Sequence, residues 1–112
     1  VFSNYVACDG FIFIKMTRDI INKFGITDEQ AASVVNTLSG IEGFPVWALF
    51  LEYPDEIRIR LRSNGPTINK LANKYQGGGH AKASGCKIES WDQLDKFIED
   101  AEEVVKAYNK EA

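Results

Sequence analysis

The chain has 112 residues, 45% apolar, 12% aromatic and 26% charged, with 13 basic side chains against 16 acidic ones. That length supports one hydrophobic core and not two, and the composition excludes a disordered, collagen-like or coiled-coil chain. No apolar run approaches the roughly 18–20 residues of a membrane helix, and the net charge of -3 excludes a generally basic, nucleic-acid-coating protein.

Tyr5-Val6-Ala7-Cys8 and Phe11-Ile12-Phe13-Ile14 flank Asp9-Gly10, a preferred two-residue hairpin turn. A short helix follows, with Thr17 as N-cap, Ile20, Ile21 and Phe24 inward, and Gly25 as its stop. Thr27 and Gln30 have capping-box spacing for a second helix, whose apolar face is Ala31, Val34, Val35 and Leu38 and which Gly40 ends. Val46 to Leu51 is a continuous apolar run, the pattern of a strand covered on both faces. Ile57-Arg58-Ile59-Arg60-Leu61-Arg62 alternates strictly and reads as its antiparallel neighbour, buried on one face only. Asn64-Gly65-Pro66 opens a helix carrying Ile68, Leu71, Ala72 and Tyr75, with Pro66 in its first turn. Residues 76–85 break all periodicity, and Cys86-Lys87-Ile88 forms a short strand. Ser90 and Gln93 form a second capping box for a last helix that buries Trp91, Leu94, Ile98, Ala101, Val105 and Tyr108. The order points to a single α/β domain, a mixed β-sheet covered by helices.

Charge is distributed unevenly. Between Ile57 and Ile88 there are seven basic residues and no Asp or Glu, while the rest of the chain sets six basic residues against all 16 acids. Such a segment suits an anion site. Arg58, Arg60 and Arg62 share one strand face at about 6.6 Å spacing, and guanidinium forks grip phosphate. Arg58, nearest the acids at the turn, is expected to pair with Glu52 or Glu56. Arg62, at the strand end beside Ser63, is expected to face a ligand, with the Ser63 hydroxyl and N–H adding donors. Gly77-Gly78-Gly79 then offers unhindered N–H groups that can form an anion nest, with a helical turn after it adding its dipole. His80 and Lys82 supply further donors and charge beside the bound phosphate.

Several chemistries are excluded. His80 is the only histidine, and Walker A, HExxH and GxSxG motifs are absent. Cys8 and Cys86 lack metal-ligand or disulfide-scaffold spacing, and with no signal-peptide layout at Val1–Asn4 the expected compartment is the reducing cytoplasm. The start at Val1 without Met is expected of a piece cut from a longer chain. Hence no catalytic residue and no metal ligand is assigned.

Leu61-Arg62-Ser63, Asn69, Leu71-Ala72 and the run Gly77-Gly78-Gly79-His80-Ala81-Lys82-Ala83-Ser84-Gly85 resemble the DHH-associated domain, the C-terminal substrate-binding module of the DHH phosphoesterases. Ile41-Glu42-Gly43 and the two strands after it resemble the nano-RNase branch, also described as 3′-phosphoadenosine 5′-phosphate phosphatases. The likeness spans nearly the whole chain, so residues 1–112 are expected to form that module of a longer two-domain enzyme. It implies an N-terminal DHH domain holding manganese, with no cofactor in this piece, and a homodimer of the full protein. It also implies substrate contacts at Arg62, Ser63, Gly78, Gly79, His80 and Lys82, flanked by Arg60 and Gly77. The expected ligand is a short RNA or DNA oligonucleotide or a phosphonucleotide, and no membrane partner is expected. Alternatives are the equivalent domain of a cyclic-dinucleotide phosphodiesterase, a free-standing single-strand binder with Tyr75 and Tyr5 as its aromatics, an appended module of a tRNA-handling enzyme, and an interaction domain for an acidic protein. Two positions depart from the family pattern: Gln76 stands where a first of four glycines is frequent, and Ser84 replaces a common Ala.

Overall fold

Strand-forming runs and capped helices alternate along the chain, and the strands all join one sheet. The computed structural model describes residues 5–7, 10–39 and 43–111. Six strands, β1 (Tyr5–Ala7), β2 (Phe11–Met16), β3 (Val46–Glu52), β4 (Ile57–Ser63), β5 (Gly78–Gly79) and β6 (Ala83–Ile88), lie in the order β1-β2-β3-β4-β6-β5. β2 and β3 are parallel and every other pair is antiparallel, so the sheet is mixed. β1 and β2 pair antiparallel up to Ala7↔Ile12, and Gly10 ahead of β2 has the positive φ (77°) frequent in hairpin turns. Asp9, Cys8 and the 40–42 segment, with the expected helix stop at Gly40, lie outside the described residues.

A parallel β2–β3 pair needs a crossover, supplied by α1 (Arg18–Phe24) and α2 (Asp28–Thr37). Thr17 accepts from the Ile20 N–H and Gly25, in the left-handed region, closes α1. Thr27 and Gln30 make the reciprocal bonds of a capping box. These helices cover one face of β2 and β3, burying Ile12, Ile14, Trp47, Leu49 and Leu51 with Ile21, Val35 and Leu38. The opposite face spans β2, β3, β4 and β6 and packs on α3 (Asn69–Lys74) and α4 (Leu94–Glu111). β3 is therefore enclosed from both sides. The Cα radius of gyration, 13.2 Å, equals that of one domain of this length, about 13 Å.

Several local expectations are corrected. Phe24 is 65% exposed rather than inward, because α1 ends there and its apolar contact with the sheet runs through Ile21. α3 begins at Asn69, beyond Pro66, whose carbonyl accepts from Ser63 instead. Residues 76–85 are not irregular throughout: β5 and the first half of β6 form a hairpin there. Gln93 reaches the N–H of Glu89 rather than Ser90, and a 3-10 turn (Trp91–Gln93) leads into α4. The buried stripe of α4 centres on Phe97, fully buried, while Tyr108 is 40% exposed.

Since α1 and α2 reach only across β2 and β3, no residue of β4, β5 or β6 joins the core on their side. Among the described residues that half of the sheet face is open, and it is the face of the alternate arginines.

Candidate anion-binding site

The antiparallel register sets the open face in rows. Arg58 lies opposite Lys87, Arg60 opposite Gly85, and Arg62 opposite Ala83. Gly78 pairs with Gly85 on the far side. His80 and Ala83 exchange backbone hydrogen bonds of 2.8 and 3.3 Å, which continues the same register. His80, Ala83 and Arg62 thus share one row, and Gly78, Gly85 and Arg60 the next. The arginine strand and the glycine–histidine segment, 15 or more residues apart in sequence, meet at one end of the sheet.

The electrostatics differ along the strand. Arg58 Nε bonds Glu56 Oε2 at 2.9 Å, and Lys87 Nζ lies 3.5 Å from the other oxygen. The Arg58 hydrogen bond, with Lys87 adding, holds the Glu56 carboxyl below the usual range. Among the described residues, neither Arg60 nor Arg62 has a carboxylate partner. The Arg62 guanidinium donates to the carbonyls of Leu61 (2.7 Å) and Ser84 (3.4 Å). Partial burial, and then the neighbouring Arg60 charge, pull its pKa down. Two adjacent cations, one partly desolvated and neither neutralised, are what a bound phosphate relieves.

Other expected contacts are engaged within the chain. Ser63 is buried; its hydroxyl donates to the Pro66 carbonyl (2.5 Å) and accepts from the Gly65 N–H (3.1 Å), while its own N–H donates to the Lys82 carbonyl. Ser63 therefore shapes the 63–66 turn, and both donors expected at a ligand are spent. Lys82 Nζ donates to the Gly65 carbonyl, tying the 80–82 turn to that loop. The glycine run is strand rather than nest, and no helical turn follows it, because the chain reverses at once into β6. A Cβ on Gly77 would come within 2.0 Å of the Gly85 carbonyl, and one on Gly79 (φ 146°) within 2.7 Å of the Ala83 carbonyl. These two glycines permit close backbone approach in the hairpin. At Gly78 a Cβ would meet only the Asn73 side-chain oxygen, at 3.1 Å.

Two residues that pattern reading left out of the site line the open face. Gly85 forms its floor, and Gln76 stands at its side with a φ of 62°, a left-handed conformation. The period-two spacing Ala83, Gly85, Lys87 opposite the arginines was the signal for Gly85. Tyr75 is buried, its hydroxyl donating to Asp100 Oδ2, so it is no stacking platform; the Tyr5 side chain lies outside the described residues. Among the described residues no cluster of three or more His, Cys, Asp or Glu could hold a metal. No described helix is long and apolar enough to cross a membrane.

Residues 9–107 match the model of the DHHA1 domain. The chain is 42% identical to the bifunctional oligoribonuclease and PAP phosphatase NrnA of Bacillus subtilis, over 94% of this chain and 37% of that protein. It is 37% identical to the protein of the same name from Mycoplasma genitalium, over 89% of this chain and 31% of the relative. The chain spans about a third of the length of these curated relatives. Among solved structures, an exopolyphosphatase-related protein from Bacteroides fragilis superposes with a TM-score of 0.81 at 29% identity, over 92% of this chain and 32% of that one. The C-Ala domain of Aquifex aeolicus alanyl-tRNA synthetase shares the fold alone, with a TM-score of 0.60 at 12% identity, over 89% of this chain and 96% of that domain.

Proposed function

Because the chain belongs to the DHHA1 domain family, we propose that its open arginine face grips the phosphate of a short oligonucleotide or phosphonucleotide on behalf of a phosphoesterase. The observation that carries this reading is the pair Arg60 and Arg62, without a carboxylate partner among the described residues and set in register with Gly85, Ala83 and His80. Arg62, held by two carbonyls, presents a pre-oriented cation, and ordering it in advance lowers the entropic cost of binding. Arg60 adds the second charge. His80, exposed at the end of the Arg62 row, closes that side. Ser63, Lys82, Gly77 and Gly79 support the reading indirectly, by fixing the loop and hairpin that carry these groups.

The relatives' printed names support a substrate that is a short RNA or a phosphonucleotide. Bond cleavage belongs, on this reading, to the manganese-bearing DHH domain that the resemblance implies elsewhere in the full protein. This chain's share is orientation, holding the phosphodiester for attack.

The test is titration with mononucleotides, RNA of about two to five nucleotides, and long single strands. Preference for the short ligands is expected, with log affinity falling against log salt at about 0.7 per neutralised phosphate. Arg62→Ala should reduce that slope. Affinity that grows with strand length would instead favour a general single-strand binder, and no nucleotide binding would favour an interaction domain.

A further inference from the structure

α4 is the longest described helix, and its last turns reach the end of the sheet that carries Arg62. Phe11, Val46 and Ser63, which begin β2, begin β3 and end β4, pair in one row there. Val105 seats the helix beside that row: a Cβ on Gly10, just ahead of β2, would come within 2.4 Å of the Val105 side chain. Tyr108 lies three residues further along the same helix face. Its ring does not join the buried cluster that α4 builds with Phe97, Ala101 and Val105, and the residue is 40% exposed. What it touches is the loop after β4. A Cβ on Gly65 would meet the Tyr108 ring carbon Cζ at 2.7 Å, the hydroxyl at 2.8 Å and Cε2 at 3.0 Å. The φ of Gly65 is not positive, so the turn itself does not require glycine there. The close approach of the tyrosine ring does.

The peptide under that ring joins the two segments that meet at the anion site. The Gly65 N–H donates to the Ser63 hydroxyl, and the Gly65 carbonyl accepts from Lys82 Nζ. The Ser63 N–H donates to the Lys82 carbonyl and the Ile68 N–H to that of Ala81, each at 2.9 Å. Arg62 immediately precedes Ser63, and His80 lies two residues before Lys82. This clasp therefore fixes the β4 end that carries Arg62 to the turn that carries His80. The Lys82 bond is exposed, and such a bond contributes little unless its acceptor is held in place and shielded from water. A ring packed on the Gly65 peptide does both. We propose that Tyr108 is a positioning residue for the anion site, pinning Gly65 from the helical layer so that Arg62 and His80 are spaced for a phosphate before it arrives. The role rests on the phosphate reading above.

Titration of the chain with AMP tests it, each variant being read well below its Tm and shown folded by circular dichroism. Tyr108→Ala should weaken AMP binding about two- to tenfold, the order of one side chain that must be ordered anew at each binding event. Tyr108→Phe, which keeps the ring on Gly65, should bind like the parent. Gly65→Ala leaves the tyrosine but displaces its ring; it should show the same loss, and the two losses should not add in the double variant. A ring that only stabilised the fold would lower Tm and leave the affinity of the folded variant alone. Unchanged affinity in Tyr108→Ala, an equal loss in Tyr108→Phe, or additive losses with Gly65→Ala overturns the positioning role and leaves the phosphate grip standing. Should Tyr108→Ala not fold, Gly65→Ala decides: binding as tight as the parent's overturns the role. If the parent binds no AMP, the phosphate grip itself falls and the role falls with it.

Discussion

A single methyl at position 79 separates the structural from the ligand-binding reading of the glycine run. Gly79 has φ 146°, and its Cβ would lie 2.7 Å from the Ala83 carbonyl oxygen and 2.8 Å from the Ser84 α-carbon. Both neighbours are backbone of the paired strand, so neither can swing aside. A side chain in that dihedral region costs about 1–3 kcal/mol, and forcing the strands apart costs about 1–3 kcal/mol more. Gly79→Ala should therefore destabilise by about 2–6 kcal/mol, lowering Tm by about 8–25 °C at this chain length. Urea and thermal unfolding followed by circular dichroism measure it. A Tm within about 2 °C of the parent would refute the close-approach reasoning and return the glycines to a role at the ligand alone. The consequence for function is practical: lost binding in a Gly79 variant reports a broken β5–β6 hairpin, not a lost contact to phosphate.

Phe97→Ala should cost about 3–5 kcal/mol in urea unfolding, since the ring is fully buried with centroids 4.9 Å from Tyr75 and 5.5 Å from Phe50. Thr27→Ala removes the hydroxyl that accepts from the Gln30 N–H, leaving the bond from its own N–H to the Gln30 side chain, and should cost about 1 kcal/mol in the same assay. Burial pushes the Cys86 thiol up to about 12, so at pH 8 iodoacetamide should modify Cys86 only after unfolding, as peptide mass spectrometry would read. Burial alone would raise the Asp100 pKa, but hydrogen bonds from Tyr75 and Lys74 outweigh it and hold the carboxyl below its usual range. A depressed folded pKa means stability present at neutral pH and lost as pH falls below about 4. Tyr75→Phe should therefore lose less stability than the parent between pH 7 and pH 3, compared by urea midpoints.

Short-range chemistry made much of the fold legible. The Thr17 cap, the Thr27–Gln30 capping box, the Gly25 stop and the period-two strand at 57–63 all depend on neighbours a few residues away. What depended on distant partners was harder to read. Phe97 falls inward because α4 packs it on Phe11 and Phe50 of the sheet and on Tyr75 at the end of α3, and Phe24 falls outward because, among the described residues, none buries it at the end of α1. In the site, alternation correctly put the three arginines on one face and the acids near Arg58 correctly marked its partner Glu56. The roles of Ser63, Gly77 and Gly79 could not be separated by residue type, since a donor or a bare backbone serves a turn as well as a ligand. Gly85 carried only its period-two spacing until the register set it opposite Arg60, and Gln76, outside any strand, had no such signal.

The most direct measurement is an amide shift map of the ¹⁵N-labelled chain during titration with a 5′-mononucleotide at low salt. Perturbations should centre on Arg60, Arg62, His80, Ala83 and Gly85, with α1 and α2 unmoved and the response shrinking as salt rises. Shifts centred on α1, α2 or α4, or none at millimolar ligand, would contradict a phosphate grip on the open sheet face.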